Sequence, residues 1–390
     1  MIALALRIIA HSPMRYLVAL LGISVAAGLA FIQLGLYRGF RENASVIVDH
    51  TDGDLWVCAK FAENFDFPKL LNRQHLEKVR ATPGVAWAAP MLVAFANWKL
   101  PETSSVETAT NAEAHGLPAG KEVSVQMIGF DAELGIGRPW RLIEGFPEEL
   151  FQQGALTVDI STRHKLGGPE LGTIAELNGK KCQVQGLTQG IRSFQGNPML
   201  FTDWKTIQAI RRMGPDDLHY VIVGLAPGAE PEAVLERLRA IEFVEAYTSK
   251  AFALKAQEYW LKSTGAGTAL ALAALMGLIV GIVVAGQVLY TSTLEHIKEY
   301  GTLKAIGASN PQVAAAIVTQ AVAWALPAHL IAGGLLWIAT TQIEGKGIHL
   351  SIAPGLWGML GFFTVLVCVL ASILSVVRVM RLEPADVFKG

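Results

Sequence analysis

The sequence predicts an α-helical membrane protein with four transmembrane helices and a large α+β extracytoplasmic domain between the first and second. Three observations carry this. Hydrophobic residues make up 52% of the 390 and mean hydropathy is positive, and the apolar residues fall in blocks. Four of these blocks, at 16–37, 263–292, 310–343 and 355–377, carry no Asp, Glu, Lys or Arg. At ~1.5 Å per residue each can cross a hydrocarbon core of ~30 Å. Residues 38–262 have the composition of a soluble protein, enough chain for one large or two small domains. Net charge is −1 and the basic residues are scattered, which excludes the basic tract with interleaved aromatics that a nucleic-acid partner requires.

Residues 1–15 carry Arg7 and Arg15 beside Ile2, Leu4, Leu6, Ile8 and Ile9. They read as an amphipathic helix lying on the cytoplasmic face. The run 16–37 is longer than a signal-peptide core and is a retained first span. Within 38–262, an apolar strand, a helix and another apolar strand recur at both ends, about 45–100 and 218–260. Two βαβ-like halves with a β-rich insert at about 122–215 between them are expected. In that insert Val123, Val125 and Met127 alternate with Ser124 and Gln126, and Cys182 and Val184 alternate with Gln183 and Gln185, the period of half-buried strands. Asn178-Gly179 marks a type I′ hairpin, and Pro101 to Lys121 reads as a flexible loop. Cys58 and Cys182 both fall in the domain, so a disulfide between them stays open if it faces an oxidising compartment.

The second span begins a stretch of about 32 residues, Ser263 to Leu294, without Asp, Glu, Lys or Arg, some ~48 Å if helical throughout. That exceeds the membrane core, so the helix projects into water and leads into a polar foot at 293–309. The foot carries Glu295, Lys298, Glu299 and Lys304, with Leu294, Ile297, Leu303 and Ile306 on other faces. Gly301 and Gly307 are expected to interrupt it. Asn310 and Pro311 supply a cap and a first-turn proline for the third span. Such a foot is a surface on which something outside the membrane could push, although any short connector between two spans tends to be charged and amphipathic. In the second span Gly277, Gly281 and Ala285, spaced four apart, offer a packing face to another helix. Pro327 is expected to kink the third span, with the nearby His329 neutral and donating to a backbone carbonyl that the kink frees. A short loop at 344–354, the fourth span and a tail at 378–390 follow. Basic residues at the amino terminus, the foot and the tail place both termini inside.

The chain has none of the spacings that carry catalysis. No G-x-x-x-x-G-K-[ST] loop, H-E-x-x-H pair or G-x-S-x-G elbow is present, so ATP hydrolysis, if needed, belongs to another chain. The foot, Thr293-Leu-Glu-His-Ile-Lys-Glu-Tyr-Gly-Thr-Leu-Lys-Ala-Ile-Gly-Ala-Ser309, resembles the cytoplasmic signature of the bacterial MacB/FtsX/LolC-type permeases, with Glu295, Glu299, Gly301, Leu303, Lys304, Ala305, Ile306, Gly307, Ala308 and Ser309 in register. His296 stands where that family usually has arginine. Val125 to Asp131, Gly137 to Gly145 and Gly172 to Gly186 resemble its extracytoplasmic core, and Arg381 to Val387 its usual ending. Phe31-Ile-Gln-Leu-Gly-Leu36, Gly53-Asp-Leu-Trp-Val57 and Phe65-Asp-Phe-Pro68 resemble the DevC-type branch.

The resemblance implies a non-catalytic permease of the bacterial inner membrane. Its expected partners are an ABC ATPase subunit that binds the ATP, a second permease copy, a periplasmic membrane-fusion-type adaptor, an outer-membrane channel and membrane lipid. No cofactor or metal is expected in the chain itself. Glu295, Lys298, Glu299, Gly301, Leu303, Lys304 and Gly307 are the residues implied to receive the ATPase. The exported substrate would be a lipid, glycolipid or other amphiphile. An FtsX-like regulator of an extracytoplasmic hydrolase, a lipoprotein-releasing permease, and an enzyme with a clustered site in the domain remain alternatives.

Overall fold

The computed structural model describes residues 13–100, 120–191, 193, 196–343 and 354–381. The expected amphipathic helix through residue 12, most of the 101–121 loop, the 344–353 loop and the tail beyond Arg381 lie outside the described residues. The chain divides into a helical unit, residues 1–39, 267–343 and 349–390, and an α+β unit, residues 40–266 and 344–348.

Among the described residues four helices are long and apolar enough to cross a membrane. They are α1 (Pro13–Ala44), α7 (Ala266–Glu295), α9 (Asn310–Ile343) and α10 (Pro354–Met380), with the short α8 (Ile297–Ala305) between α7 and α9. Small side chains let them approach. Ala285, Ala321, Ala325, Ala328 and Ala371 are buried together with Ile23, Leu289, Trp324 and Cys368. Leu275, Met276, Ile279 and Val283 of α7 and Phe362, Leu370 and Leu374 of α10 are exposed, the inverse of a water-soluble bundle and what a lipid solvent requires. Helix α9 continues through Pro327. The expected bond from His329 to a freed carbonyl is not made by Nδ1, which is buried without a partner. The ring instead packs between Phe31 and Trp357, at centroid distances of 5.2 and 6.1 Å.

In the α+β unit the two strand–helix–strand segments are β1 (Leu55–Ala59), α3 (Arg73–Arg80) and β3 (Val85–Lys99), and β11 (Tyr220–Leu225), α5 (Pro231–Arg239) and β12 (Val244–Thr248). They do not stand side by side. Their strands interleave in the order β12-β1-β11-β3, all antiparallel, so each segment's two strands enclose one strand of the other, a split βαβ arrangement. Strand β1 is buried on both faces and therefore reads as an unbroken apolar run. Leu55, Val57 and Ala59 face Leu76, Val79, Val234, Leu235 and Leu238 of α3 and α5. Trp56 and Cys58 face Phe252, Ala253 and Ala256 of α6 (Ser249–Glu258).

The 15-residue β3 joins this lobe to the β-rich one, pairing with β11 through Met91 and with β4 (Glu122–Phe130) from Leu92 onward. Asn178 and Gly179, at φ +48° and +80°, form the hairpin turn between β7 (Ile174–Leu177) and β8 (Lys180–Thr188). Two expectations change here. Gln126 does not face water: it is 1% exposed, and its Nε2 donates to Asp66 at 2.8 Å. Cys58 and Cys182 are free thiols buried in different clusters, one under α6 and one between β-rich strands. Burial pushes them up to about 12 and about 11 respectively, so both stay protonated and unreactive.

Candidate functional site: the foot between the second and third spans

The helix of the second span does not begin at Ser263. A π-helical segment, Tyr259–Ser263, follows α6, and Gly265 at φ +74° separates it from α7. At its other end α7 passes into α8 across one residue, His296. The His296 N–H donates to Ser292 O at 3.3 Å and the Tyr300 N–H to His296 O at 3.2 Å, so the backbone ladder bridges the junction. Gly301 does not interrupt α8; it is a buried interior residue of it. Gly307, at φ +104°, is the stop. The Ala308 N–H donates to Leu303 O and the Gly307 N–H to Lys304 O, the paired bonds of a Schellman ending. Ser309, rather than Asn310, caps α9: Val313 N–H donates to its carbonyl at 3.1 Å, and Gln312 Oε1 accepts from its N–H at 2.9 Å.

The foot has two unlike faces. Inward, Tyr300 is buried with Val313, Ala316, Ile317 and Val379, and Leu303 and Ala308 pack against them. The Tyr300 hydroxyl donates to Gln320 Oε1 at 3.1 Å, and Gln320 Nε2 donates to Ser292 Oγ at 3.2 Å. One polar chain thus joins α8, α9 and α7. Burial, with Glu299 nearby, pushes the Tyr300 phenol up to about 12, so it remains a neutral donor. Lys304 Nζ reaches the Val379 and Met380 carbonyls at 3.4 and 3.0 Å, setting a cation on the negative end of α10. Outward, Glu295, Lys298, Glu299, Thr302 and Ala305 are exposed, and Ile306 is 79% exposed. His296 turns to Glu299, with Nδ1 3.2 Å from Oε1.

The seven residues singled out in the sequence therefore divide. Glu295, Lys298 and Glu299 form an acidic and basic outer face. Gly301, Leu303 and Lys304 belong to the inner face, and Gly307 to the turn. Sequence reasoning passed over Tyr300 and Ile306 as site residues. Gln320 is a polar residue in an apolar span, and its partner Tyr300 lies 20 residues away in the chain. Of the small residues in the second span, Ala285 is buried in the helical core and Gly281 is buried. Gly277 borders an apolar crevice of about 340 Å³ bounded by α1, α7 and α10, and a Cβ there would meet nothing within 4 Å. Among the described residues no three metal-ligating side chains come together.

Comparison with known proteins supplies the remaining step. Residues 16–241 match the family described as the MacB-like periplasmic core domain, and residues 271–384 the FtsX-like permease C-terminal family. Two uncharacterized ABC transporter permeases of Mycobacterium tuberculosis are each 23% identical to the chain, over 400 and 396 residues, with the whole of both chains covered. Among solved structures, the periplasmic region of MacB from Actinobacillus actinomycetemcomitans aligns at a TM-score of 0.37 and 11% identity, covering 52% of this chain and 92% of that one. The extracellular domain of the noncanonic ABC-type transporter YknZ from Gram-positive bacteria aligns at 0.35 and 12%, covering 50% and 98%. With four apolar spans, a large α+β domain between the first two, and matches running across both units, the chain belongs to the multi-pass ABC transporter permeases that combine a MacB-like periplasmic core domain with an FtsX-like permease domain.

Proposed function

We propose that the chain is the motion-transmitting permease subunit of an export machine in the bacterial inner membrane, with both termini in the cytoplasm and the α+β unit on the far side. The observation that carries this is the two-faced foot. Its inner face is bonded to α9, α7 and α10 through Tyr300, Gln320, Ser292 and Lys304, while Glu295, Lys298, Glu299 and Ile306 are left outward. A partner that grips the outer face moves the inner face with it. That partner is a separate ABC ATPase: this chain has no phosphate-binding loop, and its relatives are ABC permeases. Two copies of the chain would receive two ATPase subunits, whose closure on ATP drives the feet and, through α7, the domain beyond the membrane.

Direct conduction of a polar solute is disfavoured, because the spans carry almost no charged side chains to line a pore. The substrate class we assign is a lipid, glycolipid or similar amphiphile, handed on through a periplasmic membrane-fusion-type adaptor to an outer-membrane channel. The DevC-type stretches of the sequence support that arrangement.

The test is co-purification with candidate ABC ATPase subunits in detergent, comparing the chain with the double variant Glu295→Lys/Glu299→Lys and following ATPase rate. The expected result is a stable complex for the wild type and loss of binding by at least tenfold for the double variant. A wild type that pairs with no such ATPase overturns the reading.

A further inference from the structure

We propose that one edge of the α+β unit, formed by Phe61, Phe67, Leu70 and Phe243 with Lys60 and Lys69, lies in the headgroup layer of the membrane. The inference rests on the chain's spanning the membrane and not on what it exports.

The first observation is backbone strain. Phe61 and Phe243 sit at φ +64° and +59°, a strained region that bulky residues seldom enter. Both rings nevertheless point outward, 68% and 66% exposed. The two turns are bound to each other, Lys60 N–H donating to Phe243 O at 2.8 Å. Strain that is locked in place and gains no burial within the chain points to a surface outside it.

The second is composition. Phe67 and Leu70 are 51% and 59% exposed beside these turns, and the ammonium groups of Lys60 and Lys69 stand 5.6 and 5.7 Å from the Phe61 ring centroid. Apolar rings under lysines whose stems can extend suit a layer that is apolar below and ionic above. Exposed Glu63 and Glu242 lie in the same turns, so two anions offset the two cations. Adhesion then depends on the rings, and zwitterionic lipid suffices.

The third is position along the chain. Phe67 packs on Tyr259 and Trp260, at centroid distances of 6.4 and 5.9 Å. Trp260 precedes the apolar span starting at Gly267 by seven residues, about 10 Å at helical rise. Arg41 Nε donates to Gln257 Oε1 at 2.7 Å, and Arg41 follows Tyr37, the end of the uncharged first run, by four residues, about 6 Å. The headgroup region is roughly 5–8 Å deep on each side. Trp260 and Arg41 thus lie within seven residues of the second and first spans along the chain.

The experiment uses the full chain in phosphatidylcholine nanodiscs with a nitroxide label at Phe61→Cys, Phe243→Cys or Lys69→Cys. The last keeps both strained turns intact should the phenylalanine variants misfold. The control is Ile174→Cys on β7, a residue 68% exposed; native Cys58, Cys182 and Cys368 are buried and unlabelled. The readout is the collision rate with oxygen against that with a water-soluble nickel chelate. The expected ratio at 61, 243 and 69 is several-fold above that at 174 and unchanged by added salt. Ratios equal to that at 174 overturn the proposal. So does dipolar broadening between labels on two copies, which would assign this edge to a contact between chains.

Discussion

The segment that leads into α7 and the segment that leaves it are both tied down by buried polar groups, and the two ties differ in kind. Before α7, the Asp66 carboxylate accepts from Gln126 Nε2 and Trp260 Nε1, each at 2.8 Å, and Asp66 is 6% exposed. No cation hydrogen-bonds to it among the described residues. After α7, a neutral phenol, amide and hydroxyl form the chain Tyr300, Gln320, Ser292, and Lys304 reaches the carbonyls that end α10. The first tie stores the cost of a desolvated charge. The Tyr300–Gln320–Ser292 chain carries no charge, so it holds across the pH range in which Tyr300 stays protonated. The transmission role proposed above would use that difference: a stiff grip at the foot, and a tie that can be released before α7.

The largest effect expected is at Asp66. Asp66→Ala removes the acceptor of the buried Gln126 amide and of the half-buried Trp260 Nε1, at about 1–3 kcal/mol for a buried donor left without one. Hydrogen exchange of peptides spanning 259–263 in the full chain should accelerate on the order of a hundredfold. Asp66→Asn keeps an acceptor for only one of the two donors, which bond different carboxylate oxygens, and should accelerate exchange at neutral pH less than Asp66→Ala. If the two variants behave alike, the tie is not a hydrogen-bonded one and the comparison fails.

The same pair sharpens the contrast through pH. Burial raises the Asp66 carboxyl, outweighing the bonds from Gln126 and Trp260 that lower it. A raised carboxyl holds its proton more tightly when folded. The stability it contributes is therefore fully present below the unfolded value of 3.8 and lost as pH rises through the folded value. Protection of 259–263, corrected for intrinsic exchange, should fall from pH 4 upward and then level. The Asp66→Asn chain should show a flat profile, while peptides over 297–309 should be flat in both.

Much of this was legible in the residues. Four spans, the inserted domain, the paired strand–helix–strand segments and the Asn178-Gly179 turn follow from hydropathy, period and turn chemistry, because each is decided within a few residues. What was hidden is non-local. The interleaving of β1 between β11 and β12 is set by pairing across more than 150 residues, and nothing within either segment encodes it. Gln126 reads as a solvent-facing strand residue until Asp66 is folded over it. Gly301 reads as a break, yet sits in an unbroken helix because tertiary packing overrides a propensity cost of only ~1 kcal/mol. In the foot, the resemblance implied one contact set from Glu295 to Gly307. Only the positions of Val313, Val379 and Gln320 sort Lys304 to the inside and Glu299 to the outside.

A smaller effect tests the inner tie itself. Tyr300→Phe keeps the ring among Val313, Ile317 and Val379 and removes the donor to Gln320, at about 1 kcal/mol. Exchange over 297–309 should rise roughly fivefold while binding of an ATPase to the outer face persists. What would suffer is the stimulation of ATPase rate that a coupled permease gives, since the foot could then move without α9. Loss of binding instead would mean that Tyr300 shapes the outer face, and the division into two faces would not hold.

The smallest effect expected separates the cation from the neutral chain within the same tie. Lys304→Met retains the apolar stem against the foot but withdraws the ammonium from the carbonyls of Val379 and Met380. A cation at a helix C-terminus contributes about 0.3–1 kcal/mol and is screened by salt, whose Debye length falls to ~3 Å at 1 M. Exchange at residues 377–381 should accelerate two- to fivefold in Lys304→Met at low salt, and the gap to wild type should narrow in 1 M salt. Lys304→Arg should behave as wild type. Tyr300→Phe should show no such salt response, because no charge is lost there. If the Lys304→Met defect persists undiminished in high salt, the lysine acts through its stem rather than its charge, and the foot is held to α10 by packing alone.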